Sequence, residues 1–141
     1  MIPDAFYRTF EHTADLGIEV EAAEIEQLFA RSALAMFDIM FGLESIGLTT
    51  KRRVQASADN LNELMVAWLN ELLYVYSVEG MIFSEFTDFD LTERSVSAWG
   101  HGEIFDQAEH NASLEIKAAT YHDLSVRREN GGWKARIIFD V

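Results

Sequence analysis

Two stretches of this chain repeat their apolar residues with the period of an α-helix, while the segments around them alternate with the period of a strand, and that switch bounds the fold. In "EIEQLFARSALAMFDIMF", residues 24–41, Ile25, Leu28, Phe29, Ala33 or Leu34, Met36, Phe37 and Met40 make one apolar stripe with charge opposite. In "DNLNELMVAWLNELLYVYSVEG", residues 59–80, Leu61, Leu64, Met65, Trp68, Leu72 and Tyr76 do the same. The second stretch carries its own boundaries. Asn60 followed by Glu63 resembles a capping box, and Gly80 suits the stop. The first lacks a polar cap, since Ala22 and Ala23 stand there, although Glu24 and Glu26 favour the positive helix end.

Strand-like segments surround these helices. "YRTFEH" and "LGIEVEA" read as a hairpin turning at Thr13 to Asp15, with Ile18 and Val20 on one face against Glu19 and Glu21 on the other. "GLESIGLTT" is loop, and "KRRVQASA" is a strand holding the densest basic run, Lys51 to Arg53, expected on a solvated strand edge. After Gly80, "MIFSEFTDFDL", "RSVSAWG", "SLEIKAATYHDLSVRRE" and "WKARIIFDV" all alternate, and "ENGG" before the last contains Asn-Gly, the strongest short hairpin signal. The order ββα, β, α, then strands predicts an α+β fold: a largely antiparallel sheet covered by two amphipathic helices. With 141 residues and no linker, one domain over 1–141 is expected. The strand-helix-strand rhythm occurs twice, a weak hint of duplication.

Composition then removes function classes. The absence of cysteine excludes a disulfide framework, a thiolate zinc site and a cysteine nucleophile, leaving oxygen or imidazole for any metal. A net charge of −13 opposes direct, sequence-independent nucleic-acid binding, which depends on Lys and Arg neutralising phosphates. It suits cations and basic protein partners. No segment has the length of a membrane span, so a soluble, cytoplasmic protein is expected.

None of the four histidines, His12, His101, His110 and His122, forms a zinc-protease pair, and no GxSxG, P-loop or GxGxxG occurs. His122-Asp123 superficially matches a phosphohydrolase metal pair but falls in an expected strand, without further ligands. The carboxylates are more informative. Asp15 is open to two roles, a turn residue bonding nearby backbone N–H groups or a metal ligand. Asp140 and the carboxylate of Val141 end an alternating strand. If that strand lies beside the first hairpin, Asp15, Asp140 and Val141 converge, and like charges at close range then call for a cation. Hard oxygen donors in flexible geometry suit Ca²⁺.

"FEHTADLGIEV", "ALAMFDIM", "WLNELLYVYSVEGMIFSEF", "AWGHGEIFD", "EIKAATYHDLSV" and "WKARIIFDV" together resemble the archease family over essentially the whole chain. The resemblance implies a protein cofactor of the GTP-dependent tRNA-splicing RNA ligase, which joins an RNA 2′,3′-cyclic or 3′-phosphate to a 5′-hydroxyl. Such a cofactor promotes ligase guanylylation and multiple turnover without joining RNA itself. It also implies a divalent metal, calcium, on the aspartate of the HTAD turn and the last two residues, here Asp15, Asp140 and Val141. His12 and Lys117 become candidates for contacting the ligase. Two other classes stay in view: a chaperone-like interaction module, and a metal-dependent phosphoester hydrolase using Asp15, His12 and His122.

Overall fold

The computed structural model describes residues 6–12 and 15–141, His12 by its backbone alone. The chain runs β1 (Tyr7–His12), β2 (Asp15–Ala22), α1 (Ile25–Phe41), a 3-10 turn (Leu43–Ser45), β3 (Thr50–Ser57), α2 (Leu61–Glu79), β4 (Met81–Leu91), β5 (Ser95–Ile104), β6 (Ala118–Ala119), β7 (Ser125–Glu129) and β8 (Gly132–Asp140). The α+β expectation holds, and all described strand pairs are antiparallel. The strands divide between two sheets, however. One has the order β1-β2-β8-β6 with β7 also on β8, and the other is β3-β5-β4. Each helix touches both sheets, so the helices lie between them instead of covering one.

That position explains the composition of the helices. α1 buries Leu28, Phe29, Ala33, Leu34, Ala35, Met36, Phe37, Met40 and Phe41, far more than a single stripe, because it faces apolar neighbours on several sides. Its N-cap, Glu24, makes no side-chain cap bond, but the Gln27 side chain accepts the N–H of Ala23, one residue before the cap. α2 begins as its sequence predicts: Asn60 accepts the Glu63 N–H at 2.9 Å and donates its amide to the Glu63 carboxylate at 2.7 Å. Trp68 is fully buried, donates its indole N–H to the Phe29 carbonyl and packs against Phe86 and Phe89 of β4. One side chain thereby joins both helices to the second sheet.

The hairpin between β7 and β8 turns on Asn130 and Gly131, with φ of 53° and 79°, the two positive values that a type I′ turn requires. The long strand expected over "SLEIKAATYHDLSVRRE" is corrected: only Ala118–Ala119 and Ser125–Glu129 pair. Both lie along the same edge of β8, but their registers do not continue into one another, so Tyr121–Leu124 must loop off the edge between them. Asp123 turns there with φ of 49°, and His122-Asp123 therefore occupies an exposed turn, not a strand. β3 is an edge strand, with Lys51 and Arg53 exposed against the Trp99 ring, and Arg52 bound to Glu79 at the end of α2. No helix among the described residues is long and apolar enough to cross a membrane.

Candidate functional site

The site starts from strand register. β2 and β8 pair Leu16 with Phe139, and the next residue outward on each is Asp15 and Asp140. On the far side of β2, Asp15 pairs with His12; on the far side of β8, Asp140 pairs with Ala118, and the Lys117 N–H donates to the Asp140 carbonyl at 2.8 Å. Four strands thus deliver His12, Asp15, Asp140 and the Lys117–Ala118 step to one end of the first sheet. The condition set by the sequence, that the last strand lie beside the first hairpin, is met.

Local chemistry holds this end in place. Phe139 is fully buried, which orients the alternation of β8 so that Asp140 emerges exposed, while Val141 is half-buried against the core. Phe10 lies directly over Gly17, its cross-strand partner, and the Arg136 guanidinium sits 3.9 Å above the Phe10 ring. On the same sheet Glu19 is bridged by Arg8, Lys134 and Arg136. These cations are therefore committed to Glu19 and Phe10, and the only lysine in the residues just described at the acidic end is the exposed Lys117. Asp15 is a strand residue, paired with His12, where the sequence expects a turn over Thr13 to Asp15; Thr13 and Ala14 lie outside the described residues. The His12 side chain also lies outside them.

The donor set fits a hard cation. Asp15 and Asp140 offer carboxylate oxygen, and they lie one residue beyond the Leu16–Phe139 pair on two adjacent strands. A second acidic group lies elsewhere: Glu103, Glu109 and His110 have ligand atoms within 4.8 Å of one another. This group is structural. His110 is buried, its Nδ1 accepts the Asp106 N–H at 2.9 Å, and its Nε2 faces Glu103 Oε1 at 2.5 Å, so both ring nitrogens are already used. The Gly47 backbone N–H first, and His110 second, hold the Glu103 carboxyl below its ordinary value of 4.5. A carboxylate with a depressed folded-state pKa stabilises the fold above its unfolded value and loses that contribution as pH falls through the folded one. Urea midpoints of wild type and Glu103→Gln should therefore differ most at pH 6–7, wild type being higher, and converge as acid passes below 4.5. A gap unchanged down to pH 3 would remove Glu103 from this linkage.

His101 contacts Thr87 through Nε2 at 2.7 Å on the second sheet, away from the acidic end. A feature that sequence reading does not reveal is a cavity of about 700 Å³ between the C-terminal halves of both helices and the segment leading to β6. Its walls come from sequence positions as distant as Met40, Tyr76 and Leu114, so no local pattern encodes it.

Fold and edge together define a small α+β protein whose two sheets enclose a helix pair and whose β2 and β8 bring two carboxylates to one sheet end. The chain belongs to the archease family: residues 7–141 match the model of the archease protein family (MTH1598/TM1083). It is 34% identical over 139 residues to the protein archease of Methanosarcina mazei, covering 96% of this chain and 95% of that one. With the Pyrococcus abyssi protein archease it shares 32% over 136 residues, 94% and 96% of the two chains. Among solved structures, protein 1598 of Methanobacterium thermoautotrophicum superposes with a TM-score of 0.83 at 30% identity, covering 96% of this chain and 99% of that one. An archease of Thermotoga maritima, described as a possible chaperone, shares the fold at a TM-score of 0.63 and 20% identity, covering 95% and 96%.

Proposed function

We propose that this protein is a metal-binding cofactor of a GTP-dependent tRNA-splicing RNA ligase in the cytoplasm, raising ligase guanylylation and turnover without joining RNA itself. The observation that carries the reading is the β2–β8 register, which brings Asp15 and Asp140 to one sheet end beside the last residue, Val141. Family membership agrees with it. Asp15, Asp140 and the Val141 carboxylate would hold the metal, with calcium favoured by an all-oxygen donor set. When bound, such an ion supplies positive charge against phosphate oxygens in phosphoryl transfer. The chain's own residues fix the edge: β2 and β8 hold the two carboxylates on a paired, core-backed end, and Lys117 and His12 flank them as contacts for the ligase. An acidic edge on a chain of net charge −13 steers toward a basic protein surface.

The test is guanylylation of the ligase from the same organism with GTP. Adding this protein should accelerate it at least tenfold, and Asp15→Ala should remove most of that gain. An unchanged ligase rate would end the cofactor reading. A chaperone-like role draws support from the apolar cavity and from the description of the Thermotoga maritima protein. It requires suppression of aggregation of unrelated proteins, unaffected by Asp15→Ala.

A further inference from the structure

We propose that the cavity between α1, α2 and the segment before β6 is a second docking point for the ligase, receiving an apolar side chain flanked by basic residues. The inference rests on the cofactor reading above and adds a site to it. Three features support it. The cavity has a volume of about 700 Å³, and Met40, Phe41, Leu73, Phe105 and Leu114 give it apolar walls. A concave apolar site with few polar groups is the usual form of a binding pocket.

Its surroundings also expose apolar side chains that the fold itself does not need outside. Tyr74 and Val78 are 59% and 62% exposed on α2, one turn apart and each next in sequence to a cavity-lining residue, Leu73 and Ser77. Ile104, 56% exposed, lies against Gly80 at the end of α2, and Leu114 on the cavity wall is 37% exposed. Leu114 and Ile104 thus add exposed apolar surface at the cavity, and Tyr74 and Val78 extend it along the neighbouring face of α2.

The third feature fixes the occupant. Lys117 lines the cavity, and its backbone N–H donates to the Asp140 carbonyl, so cavity and acidic edge are successive parts of one surface. A partner docked on the edge at Lys117 is next to the cavity. Glu115 also lines the cavity; burial first, and its charge second, hold the Tyr76 phenol above its usual range. An apolar anchor with a Lys or Arg beside it complements the apolar walls, Glu115 and the acidic edge beyond Lys117, on a chain of net charge −13. A second copy of this chain, equally acidic, meets that net charge with like charge.

The experiment titrates wild type, Leu114→Glu and a control, Gln55→Glu, against the ligase and reads the concentration giving half-maximal guanylylation. Gln55 is exposed on β3, in the other sheet, and carries the same change of charge. Leu114→Glu should raise the half-saturating concentration at least tenfold. Its calcium affinity, measured by calorimetry on the isolated protein, should stay within twofold of wild type, and its thermal midpoint should be unchanged. Gln55→Glu should match wild type. An unshifted titration for Leu114→Glu, an equal shift for Gln55→Glu, or a self-association of wild type that Leu114→Glu abolishes would overturn the proposal. Failure of wild type to stimulate the ligase would instead overturn the cofactor reading itself.

Discussion

Alanine at Gly102 is expected to lower the unfolding midpoint by about 10 °C, because a side chain there meets the backbone of the neighbouring strand. Gly102 sits mid-sheet in β5, paired with Thr50 on one side and Phe83 on the other, while its carbonyl accepts the Thr49 N–H. A Cβ there would lie 1.8 Å from the Ile82 carbonyl oxygen and 2.9 Å from the Phe83 Cα. Both are backbone atoms of a paired strand and cannot rotate away. Relief requires β4 and β5 to separate, and forced overpacking of this kind costs about 3 kcal/mol, the upper end of its usual range. At roughly 3 °C per kcal/mol for a chain of this size, the shift follows. Gly17 provides the contrast. A Cβ there meets only the Phe10 ring, at 2.1 Å, and that ring is the far end of a side chain on β1, an edge strand. Gly17→Ala should displace Phe10 and cost less. Thermal unfolding followed by circular dichroism decides the matter: a Gly102→Ala midpoint within 2 °C of wild type, or below-par stability only in Gly17→Ala, would contradict this account.

The same residues mark what the sequence could and could not convey. Local signals translated directly: the Asn60–Glu63 box caps α2, Asn130-Gly131 turns the last hairpin, and the alternation of Ala135, Ile137 and Phe139 faces the core. Periodicity tells a strand which face to bury but not which strand to join. The division into two sheets depends on β8 reaching back to β2 near the start of the chain while β3, β5 and β4 pair with one another, and no local pattern contains that choice. For the same reason "SLEIKAATYHDLSVRRE" read as one strand. Ile116 is buried as its alternation suggests, but Leu114 faces the open cavity, and β6 and β7 meet β8 out of continuous register. The acidic edge was legible only conditionally. Asp15 and Asp140 were conspicuous, whereas their adjacency required the β2–β8 pairing that the sequence could state but not establish. The cavity escaped altogether, because its walls converge from both helices and a segment without regular structure.

A peptide fused after Val141 is expected to weaken calcium binding at least tenfold, while the same peptide fused before Met1 leaves it unchanged. The argument runs through donor chemistry. An amide carbonyl in place of the Val141 carboxylate removes one negative charge and one of the oxygens available to the ion, and oxygen count and ligand charge are what set calcium affinity. The fold should survive the fusion. Asp140 is the last paired residue of β8, bonded through its backbone to Lys117 and paired with Ala118, and the Val141 side chain is the part that packs against the core. Unfolding in the absence of metal should therefore be nearly the same for both fusions. Their difference should appear only on adding calcium, because a ligand that binds the native state alone stabilises it by about 2.7 kcal/mol at a hundredfold excess over its dissociation constant. With the N-terminal fusion, saturating calcium should raise the midpoint by several degrees; with the C-terminal fusion, Asp15→Ala or Asp140→Ala, the rise should shrink or vanish. The three perturbations act on residues brought together by β2, β8 and the chain's last step, so a shared loss identifies one site fed by two ends of the sequence. Equal calcium affinity for the two fusions, with loss in Asp15→Ala, would leave the ion on the aspartates and take Val141 out of its shell. A calcium response unchanged in all of them would move the ion away from this edge.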